Sequence, residues 1–503
     1  MIAAKGGGIS FVGRVFEYAM RFVFGILIAR VIGVELYGHY TLGITVAMIA
    51  SNFAMLGLQV GLVRFLPSAI REKDEPAMWG ILQVCIGFPV LFSLVLAVCL
   101  FLLAEPLANL VFHDLRLVPA LRIVSLLIPL DTLAFMAYVI TISFKQPKCS
   151  VIANNIIAPL AQLVLAAGFL AAGLSTNGVL VAQVIASVAA VLVLLYFVNA
   201  LVPLKRLIEP SRRNTWQLMK YSFPAYLGWI VNTIRTSLST MVLGIVGLPA
   251  GVGVFTAASR FGLIGSMFYL SVGNISTPII ADLHSRGKTA QIKAYYQTTT
   301  RWLVMFNLPI FLTSVLFAQP LLWIFGDDFT TGTTSMMILA CGTLVYTCTG
   351  LGANILDMTD HPKVNTANSV IMVLVTIGLN LLLIPRFGVI GAATATALST
   401  AVVNLICMVE VWYLLHMLPY NRSFIKPILS SLAAGILTFL FLQFLTPSPL
   451  LQLILGGAFL WGIYIISLIV LRFTAEDLSV ITQIRDRLLM GHNIQEQQAR
   501  KIS

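Results

Sequence analysis

The sequence predicts an all-α integral membrane protein of about fourteen transmembrane helices, built as two homologous six-helix lobes followed by two C-terminal helices. Three observations lead there. Hydrophobic residues make up 59% of the 503-residue chain and charged residues only 10%, against roughly 25% charged in soluble domains. Apolar stretches of the roughly 20 residues needed to cross a bilayer recur along the whole chain with short connections. The second half also repeats the first. Ile28-Ala29-Arg30-Val31-Ile32-Gly33 through Gly38-His39-Tyr40-Thr41 returns as Leu243-Gly244-Ile245-Val246-Gly247 through Gly253-Val254-Phe255-Thr256. Likewise Asn177-Gly178-Val179-Leu180-Val181-Ala182 returns as Phe387-Gly388-Val389-Ile390-Gly391-Ala392. The offset, about 210–215 residues, is that of a whole multi-helix lobe, and paired lobes are how secondary transporters frame a central site with alternating access.

Taken in order, the first lobe holds spans at about 9–32, 37–66, 79–104, 119–144, 150–173 and 177–202. The second holds spans at about 221–248, 251–281, 298–320, 331–357, 364–385 and 387–418. Two more, at about 427–447 and 449–472, have no counterpart in the repeat. The lobes therefore take residues 1–210 and 211–420, joined by the basic connection Pro203–Lys220, and 421–503 carries the extra helices and a tail. The first span does not read as a cleavable signal, because Arg14, Glu17 and Arg21 interrupt it. Mid-span Pro89, Pro129, Pro159 and Pro309 each remove a backbone donor and should kink their helices, as hinges or as packing bends. Small residues four apart, Gly178, Ala182, Ala186 and Gly388, Ala392, Thr396, let helix backbones approach closely. The tail opens at Thr474-Ala475-Glu476-Asp477 like a capping box, and Leu478, Ile481, Ile484 and Leu488 share one face. That pattern predicts an amphipathic helix on the inner membrane surface.

A net charge of +12 invites a nucleic-acid reading, but its distribution excludes one. With the N-terminus inside, Arg71, Lys73, Lys145, Lys148, Lys205, Arg206, Arg212, Arg213, Lys220, Arg286, Lys288 and Lys293 fall on the cytoplasmic side, as do Lys363, Arg422, Lys426 and the tail cations. The outer loops keep Arg116 and Arg386 beside Glu35, Glu105, Asp114, Asp327 and Asp328. This is the positive-inside bias, and it puts both termini in the cytoplasm with an even helix count. The six cysteines show no CxxC or His-rich spacing, so neither a metal site nor a disulfide framework is expected, only buried inert thiols.

Charges kept within the hydrocarbon zone usually face a cavity or one another. Arg14, Glu17 and Arg21 share one face of the first helix, and the repeat sets Arg21 against Arg235 near the middle of the seventh. Two such arginines would converge on a central cavity, where their planar forks suit phosphate oxygens; a packing ion pair of Arg21 with Glu17 is the competing reading. The second span carries Thr41, Thr45, Met48, Asn52, Met55 and Gln59 as one stripe, and the eighth answers with Thr256, Arg260, Met267 and Asn274. Asn52, Gln59, Asn274 and Arg260 are thus candidates for binding sugar hydroxyls or water, against interhelical hydrogen bonding as the alternative. The tenth span bears Thr343, Thr347, Gly350, Asn354 and Asp357 at the same spacing. Asp131, near mid-depth in the fourth span, is a candidate for proton or sodium coupling, with Glu17 a second, or else the partner of an arginine.

The Ala-Arg-Val-Ile-Gly end of the first helix, followed by Glu-Leu-Tyr-Gly-His-Tyr, resembles the start of polysaccharide exporters of the multidrug/oligosaccharidyl-lipid/polysaccharide (MOP) flippase superfamily. The run Asn380-Leu381-Leu382-Leu383-Ile384-Pro385-Arg386-Phe387-Gly388-Val389-Ile390-Gly391-Ala392-Ala393 resembles that family's second-lobe signature. The resemblance covers the whole chain and implies the MOP flippase fold. It also implies an inner-membrane flippase of the O-antigen (Wzx-like) kind, moving a polyprenyl-diphosphate-linked oligosaccharide from the cytoplasmic to the outer leaflet for polysaccharide biosynthesis. No cofactor and no nucleic acid are implied; the glycan-lipid, the bilayer, and glycan polymerase and chain-length proteins are the implied partners. Three alternatives stay open at this point. A cation-coupled drug antiporter would prefer carboxylates to arginines in its cavity. A lipid II flippase shares the fourteen-helix plan and a basic cavity. A membrane glycan polymerase or ligase commonly carries a large external loop, whereas the longest here, Glu105–Val118, is about a dozen residues, and no catalytic constellation is apparent.

The charge asymmetry generates the first test. A C-terminal alkaline-phosphatase fusion should be inactive and a C-terminal fluorescent-protein fusion bright; a strongly active phosphatase fusion would place the tail outside and overturn the topology.

Overall fold

The protein is seen here in a computed structural model that describes residues 2–202, 215–444 and 448–471. Most of the expected join at 203–220, and the expected surface helix at 474–490, lie outside the described residues. The described chain is all helix, with no strand among its elements. In order these are α1 (Ile2–Ala54), α2 (Leu58–Glu72), α3 (Glu75–Leu102), α4 (Leu115–Ser143), α5 (Val151–Ala171), α6 (Thr176–Leu201) and α7 (Thr215–Ile245). They continue with α8 (Pro249–Ser285), α9 (Thr289–Leu316), α10 (Asp327–Met358), α11 (Pro362–Leu415), α12 (Arg422–Leu442) and α13 (Pro449–Val470).

Ten of the described helices are long and apolar enough to cross a membrane, or up to eleven when α1 with α2, bent by 47°, is taken as a broken span. The difference from the fourteen spans of the hydropathy reading lies in three places. The helix α7 is less apolar than the others, and α1 and α11 are each a pair of helices run together. At 1.5 Å per residue a 54-residue helix would be about 80 Å long, against a hydrocarbon core of about 30 Å. Both long helices break at glycine: Gly33 (φ 81, ψ 173) and Gly388 (φ 55, ψ −125). A side chain at Gly33 would meet nothing within 4 Å, so the left-handed backbone, not space, is what requires glycine there. Its repeat mate Gly247 (φ 78) turns α7 into α8 in the same way.

Prolines act differently. A turn at Leu126 precedes Pro129 and a π-helical stretch, Val151–Ile157, precedes Pro159, where the missing N–H leaves the preceding turn unbonded. Pro89 and Pro309 sit within the uninterrupted helices α3 and α9. The expectation of buried thiols needs correction too. Cys85 and Cys407 are buried, but Cys99 and Cys341 are exposed; on an apolar helix, lipid solvates a thiol as well as packing does.

The chain forms two compact units. The first collects the described residues up to Leu263 with Leu321–Gly342 and Lys363–Val403. Part of its core joins Leu58, Leu62 and Leu66 of α2, Trp79, Leu82 and Cys85 of α3, Ala137 and Ile140 of α4, Ala153, Leu194 and Leu218. Its tightest crossing joins repeat-related segments. A Cβ on Gly38 would collide with the carbonyl oxygen of Pro249, and one on Gly253 with that of Val34. The two glycines are one repeat apart, so α1 and α8 meet reciprocally, backbone on backbone. Beside this crossing, His39 is buried, with Nε2 2.8 Å from Oδ2 of Asp114 in the α3–α4 connection. Arg116 donates from its backbone N and Nε to Asp114 Oδ1, each at 3.0 Å, and reaches Glu35 at 2.7 Å. Burial works against charge on Asp114, but the donors of Arg116 and His39 outweigh it and hold the carboxyl down at about 2.

The second unit collects Ile264–Pro320, Thr343–Pro362 and the described residues from Asn404 onward. The two extra helices pack here against α9: Leu312 touches Gly435, Phe317 closes on Gly456, and Tyr464 Oη donates to the Met305 carbonyl at 2.6 Å. Within α10 the helix breaks at Gly350 (φ 66). Tyr296 Oη bonds the Thr349 carbonyl at 2.7 Å and Tyr269 Oη the Gly350 carbonyl at 3.0 Å. Two phenols therefore satisfy carbonyls that lipid could not.

Two tests follow. Gly38→Ala or Gly253→Ala should lower thermal stability in detergent by about 1–3 kcal/mol, since a backbone carbonyl cannot move aside as a side chain can; an unchanged melting temperature would contradict the crossing. Asp114→Asn tests the ion cluster. Because the folded carboxyl titrates below its ordinary value, its stabilisation is complete above about pH 4 and is lost as pH falls toward about 2. The stability gap between wild type and Asp114→Asn should therefore shrink as pH falls from about 4 toward about 2.

Candidate functional site

The first unit holds most of the sequence-derived candidates. On α1, Glu17 and Arg21 stand one turn apart and pair, Arg21 Nε to Glu17 Oε1 at 2.9 Å, with the arginine side chain 51% exposed. The ion pair considered from sequence is thus present, and it leaves much of the guanidinium uncovered. Arg14, two turns earlier, is exposed. One turn after Arg21, Gly25 has no side chain, and the guanidinium of Arg260 from α8 occupies the space; a methyl there would stand 2.8 Å from Cζ. Arg260 Nη1 donates to the Arg21 carbonyl oxygen at 2.9 Å. Its Nε is shut off from solvent with no hydrogen-bond partner, and among the described residues no carboxylate pairs with it. Tyr37 and Tyr40 of α1 face the same guanidinium.

Asp131 sits half-buried on α4, facing Arg21 and Ser187. Deeper in, Tyr40, Gln162 of α5 and Gln183 of α6 form one network. The Gln162 amide donates to Tyr40 Oη at 3.3 Å and also to Gln183, and Tyr40 Oη reaches Gln183 Oε1 at 3.5 Å. On α7, Arg235 is half-buried and donates from Nη2 to Asn232 Oδ1 at 3.0 Å. Asn52, at the far end of α1, accepts from Trp229 Nε1 at 3.1 Å.

The remaining two candidates are placed elsewhere. Gln59 turns into the packing of α2, buried with both ends of its amide unpartnered. Asn274 is exposed on the part of α8 that belongs to the second unit. Sequence patterns missed Tyr40, Gln162, Gln183 and Trp229. The signal for Trp229 was its depth, since membrane tryptophans ordinarily concentrate at the interfaces. Among the described residues no group of three or more His, Cys, Asp or Glu could hold a metal ion. Chemically, the arrangement brings Arg21 and Arg260 together from two helices, with Glu17 paired to Arg21, Asp131 nearby, Arg260 without a carboxylate among the described residues, and amides and hydroxyls around them. It suits an anionic head group bearing hydroxyls.

Comparison with known proteins identifies the family and the fold. The polysaccharide biosynthesis protein family matches residues 3–284, and the MatE family matches residues 224–382. The chain is 27% identical over 195 residues to the "Probable low-salt glycan biosynthesis flippase Agl15" of Haloferax volcanii, covering 39% of this chain and 41% of that one. It is 25% identical over 270 residues to the "Probable flippase AglR" of the same organism, covering 52% and 56%. The chain thus spans about half or less of the length of these curated relatives. Its fold is like that of the lipid II flippase MurJ in an inward closed conformation, with TM-score 0.73 at 16% identity over 92% of this chain and 98% of that one. With a family match over more than half of its length, the chain belongs to the polysaccharide biosynthesis protein family and has the all-helical membrane fold of the MOP superfamily.

Proposed function

We propose that the chain is a flippase, a transporter rather than an enzyme, that carries a polyprenyl-diphosphate-linked oligosaccharide from the cytoplasmic to the outer leaflet. Two lobes, residues 1–210 and 211–420, alternate access to a cationic central site, with 421–503 as an accessory segment. The observation that carries the reading is Arg260 laid across α1 at Gly25, bonded to the Arg21 carbonyl with no carboxylate of its own among the described residues. Two guanidiniums on neighbouring membrane helices repel, and a cation without a counter-charge is costly at that depth. A diphosphate supplies the missing charge and fits two forked donors at once. An acid-lined drug site would have the opposite polarity.

Arg235, on the repeat-related helix, contributes the third cation, with Arg14 nearer the start of α1 and Asn52 contacting the glycan. An anionic head group leaving a negative interior gains about 2.3 kcal/mol per charge per 100 mV. Asp131 and Glu17, both facing Arg21, are the groups through which a proton or sodium ion would release the arginine for the next cycle. The family's glycan-flippase relatives support this reading of the substrate class. On this reading the protein works in the inner membrane with both termini cytoplasmic, and glycan polymerase and chain-length proteins are its partners.

Replacing Arg21, Arg235 or Arg260 by Ala should abolish glycan export in a flippase-null strain while the protein still inserts and melts normally. Lys at Arg21 or Arg235 should restore only a part, about a tenth, because a point charge cannot reproduce the two-pronged contact. An Ala variant with unimpaired export would overturn the assignment.

A further inference from the structure

Sugar recognition has an anchor that neither the repeat nor the charge pattern revealed. On α7, Ala225, Trp229, Asn232 and Thr236 recur at spacings of three and four and are all exposed. The apolar Phe223, Leu227, Ile230 and Ile234 fall on roughly the opposite side of the same helix. A helix that turned Trp229 to lipid would not set Asn232 and Thr236 beside it, so the Trp229 stripe faces the polar interior and the other faces the bilayer.

Trp229 is also held still. Its Nε1 donates to Asn52 Oδ1 at 3.1 Å, and its ring packs against Phe135 of α4 at 6.2 Å between centroids. Phe135 in turn lies 5.9 Å from Tyr138. Around it, α7 is pinned to the preceding helices: Tyr226 Oη donates to the Phe53 carbonyl at 2.8 Å, and Gly57 and Gly61 leave room for Tyr226 and Ser222. Yet the indole remains 40% exposed. With its nitrogen satisfied by Asn52, what it still presents is apolar ring surface.

An immobilised, exposed aromatic ring beside amide side chains is the chemistry that binds a pyranose. The axial C–H face of the sugar stacks on the ring while flanking amides take its hydroxyls. Position agrees. Phe135 lies one helical turn from Asp131, which faces Arg21, and Trp229 precedes Arg235 by six residues, about 9 Å along α7. A sugar joined to a diphosphate spans such a distance. We propose that Trp229, backed by Phe135 and held by Asn52, is the stacking platform for a pyranose ring of the glycan, with Asn232 as its hydroxyl partner. This rests on the flippase reading above and adds to it a specificity-determining residue.

The test uses the full-length protein in lipid nanodiscs and two probes, a polyprenyl diphosphate and the same lipid bearing one N-acetylhexosamine. Trp229→Leu keeps apolar bulk but loses the stack, and Trp229→Phe keeps a stacking ring but loses the bond to Asn52. The glycosylated probe should bind wild type tighter than the bare one. Trp229→Leu should weaken the glycosylated probe about tenfold and leave the bare one unchanged, with Trp229→Phe within about threefold of wild type. Equal weakening of both probes by Trp229→Leu would make the residue structural and overturn the platform, as would no weakening of either. If Arg21→Ala and Arg235→Ala bind the bare diphosphate as wild type does, the flippase reading itself fails, an outcome separate from the failure of the platform.

Discussion

At Gly38 and Gly253 two helices approach until only backbone lies between them, and much of the surrounding architecture is arranged to make that possible. A Cβ on either glycine would collide with a carbonyl oxygen of the other helix, that of Pro249 or of Val34. The contact is reciprocal because the two segments descend from one repeated unit, in which the glycine, the carbonyl four residues before it and the joint before that recur together. Gly33 and Gly247 supply those joints in left-handed conformation, so each helix arrives at the crossing already redirected. In lipid, where apolar surface gains nothing by hiding from tails of the same polarity, close packing of this kind is what holds helices together. The buried His39–Asp114 pair and Arg116 then tie the α1 side of the crossing to the connection before α4.

The same two helices carry the candidate site. Arg21 lies on α1 before the joint, and Arg260 on α8 two turns after Gly253; glycine again makes the meeting possible, at Gly25. Small residues thus do two jobs along α1. At Gly38 absence of a side chain admits another backbone, and at Gly25 it admits a guanidinium. Substituting Gly38 meets a backbone that cannot move aside, whereas substituting Gly25 displaces a flexible guanidinium, so the second bears on charge rather than on packing.

Much of this was legible in the sequence. Apolar spans, repeat and composition lead to an all-helical membrane fold, and the repeated Gly-x-Tyr/Phe-Thr segment marks the crossing, because identical backbone requirements leave identical glycines. Arg21, Arg260 and Asp131 stood out because charge is rare in apolar helices. What escaped were the polar bonds made between distant segments. The Tyr40–Gln162 and Tyr40–Gln183 bonds join residues 122 and 143 apart, and no single-helix periodicity contains such a pair. Gln59 failed in the opposite sense. It continued the polar stripe of Thr41, Thr45 and Asn52, but the break at Gly57 rotates α2 relative to α1 and carries that position into the core. A stripe read through a helix break points to the wrong face beyond it.

The placement of Arg260 also links the site to the crossing in physical terms. Between Gly253 and Arg260 the helix α8 is continuous, so about 10 Å of rigid rod separates the backbone contact from the guanidinium. Glu17 neutralises Arg21, but Arg260 has no carboxylate among the described residues, so its charge works against the approach that Gly38 and Gly253 permit. An anion shared by Arg260 and the uncovered side of Arg21 would reverse the sign of that force. On the proposed function, binding the diphosphate thus favours the close-packed arrangement of these helices, and release of the head group weakens it. The ligand's differential affinity for the two arrangements is then set by the arginine pair, while the glycines decide how near the helices can come.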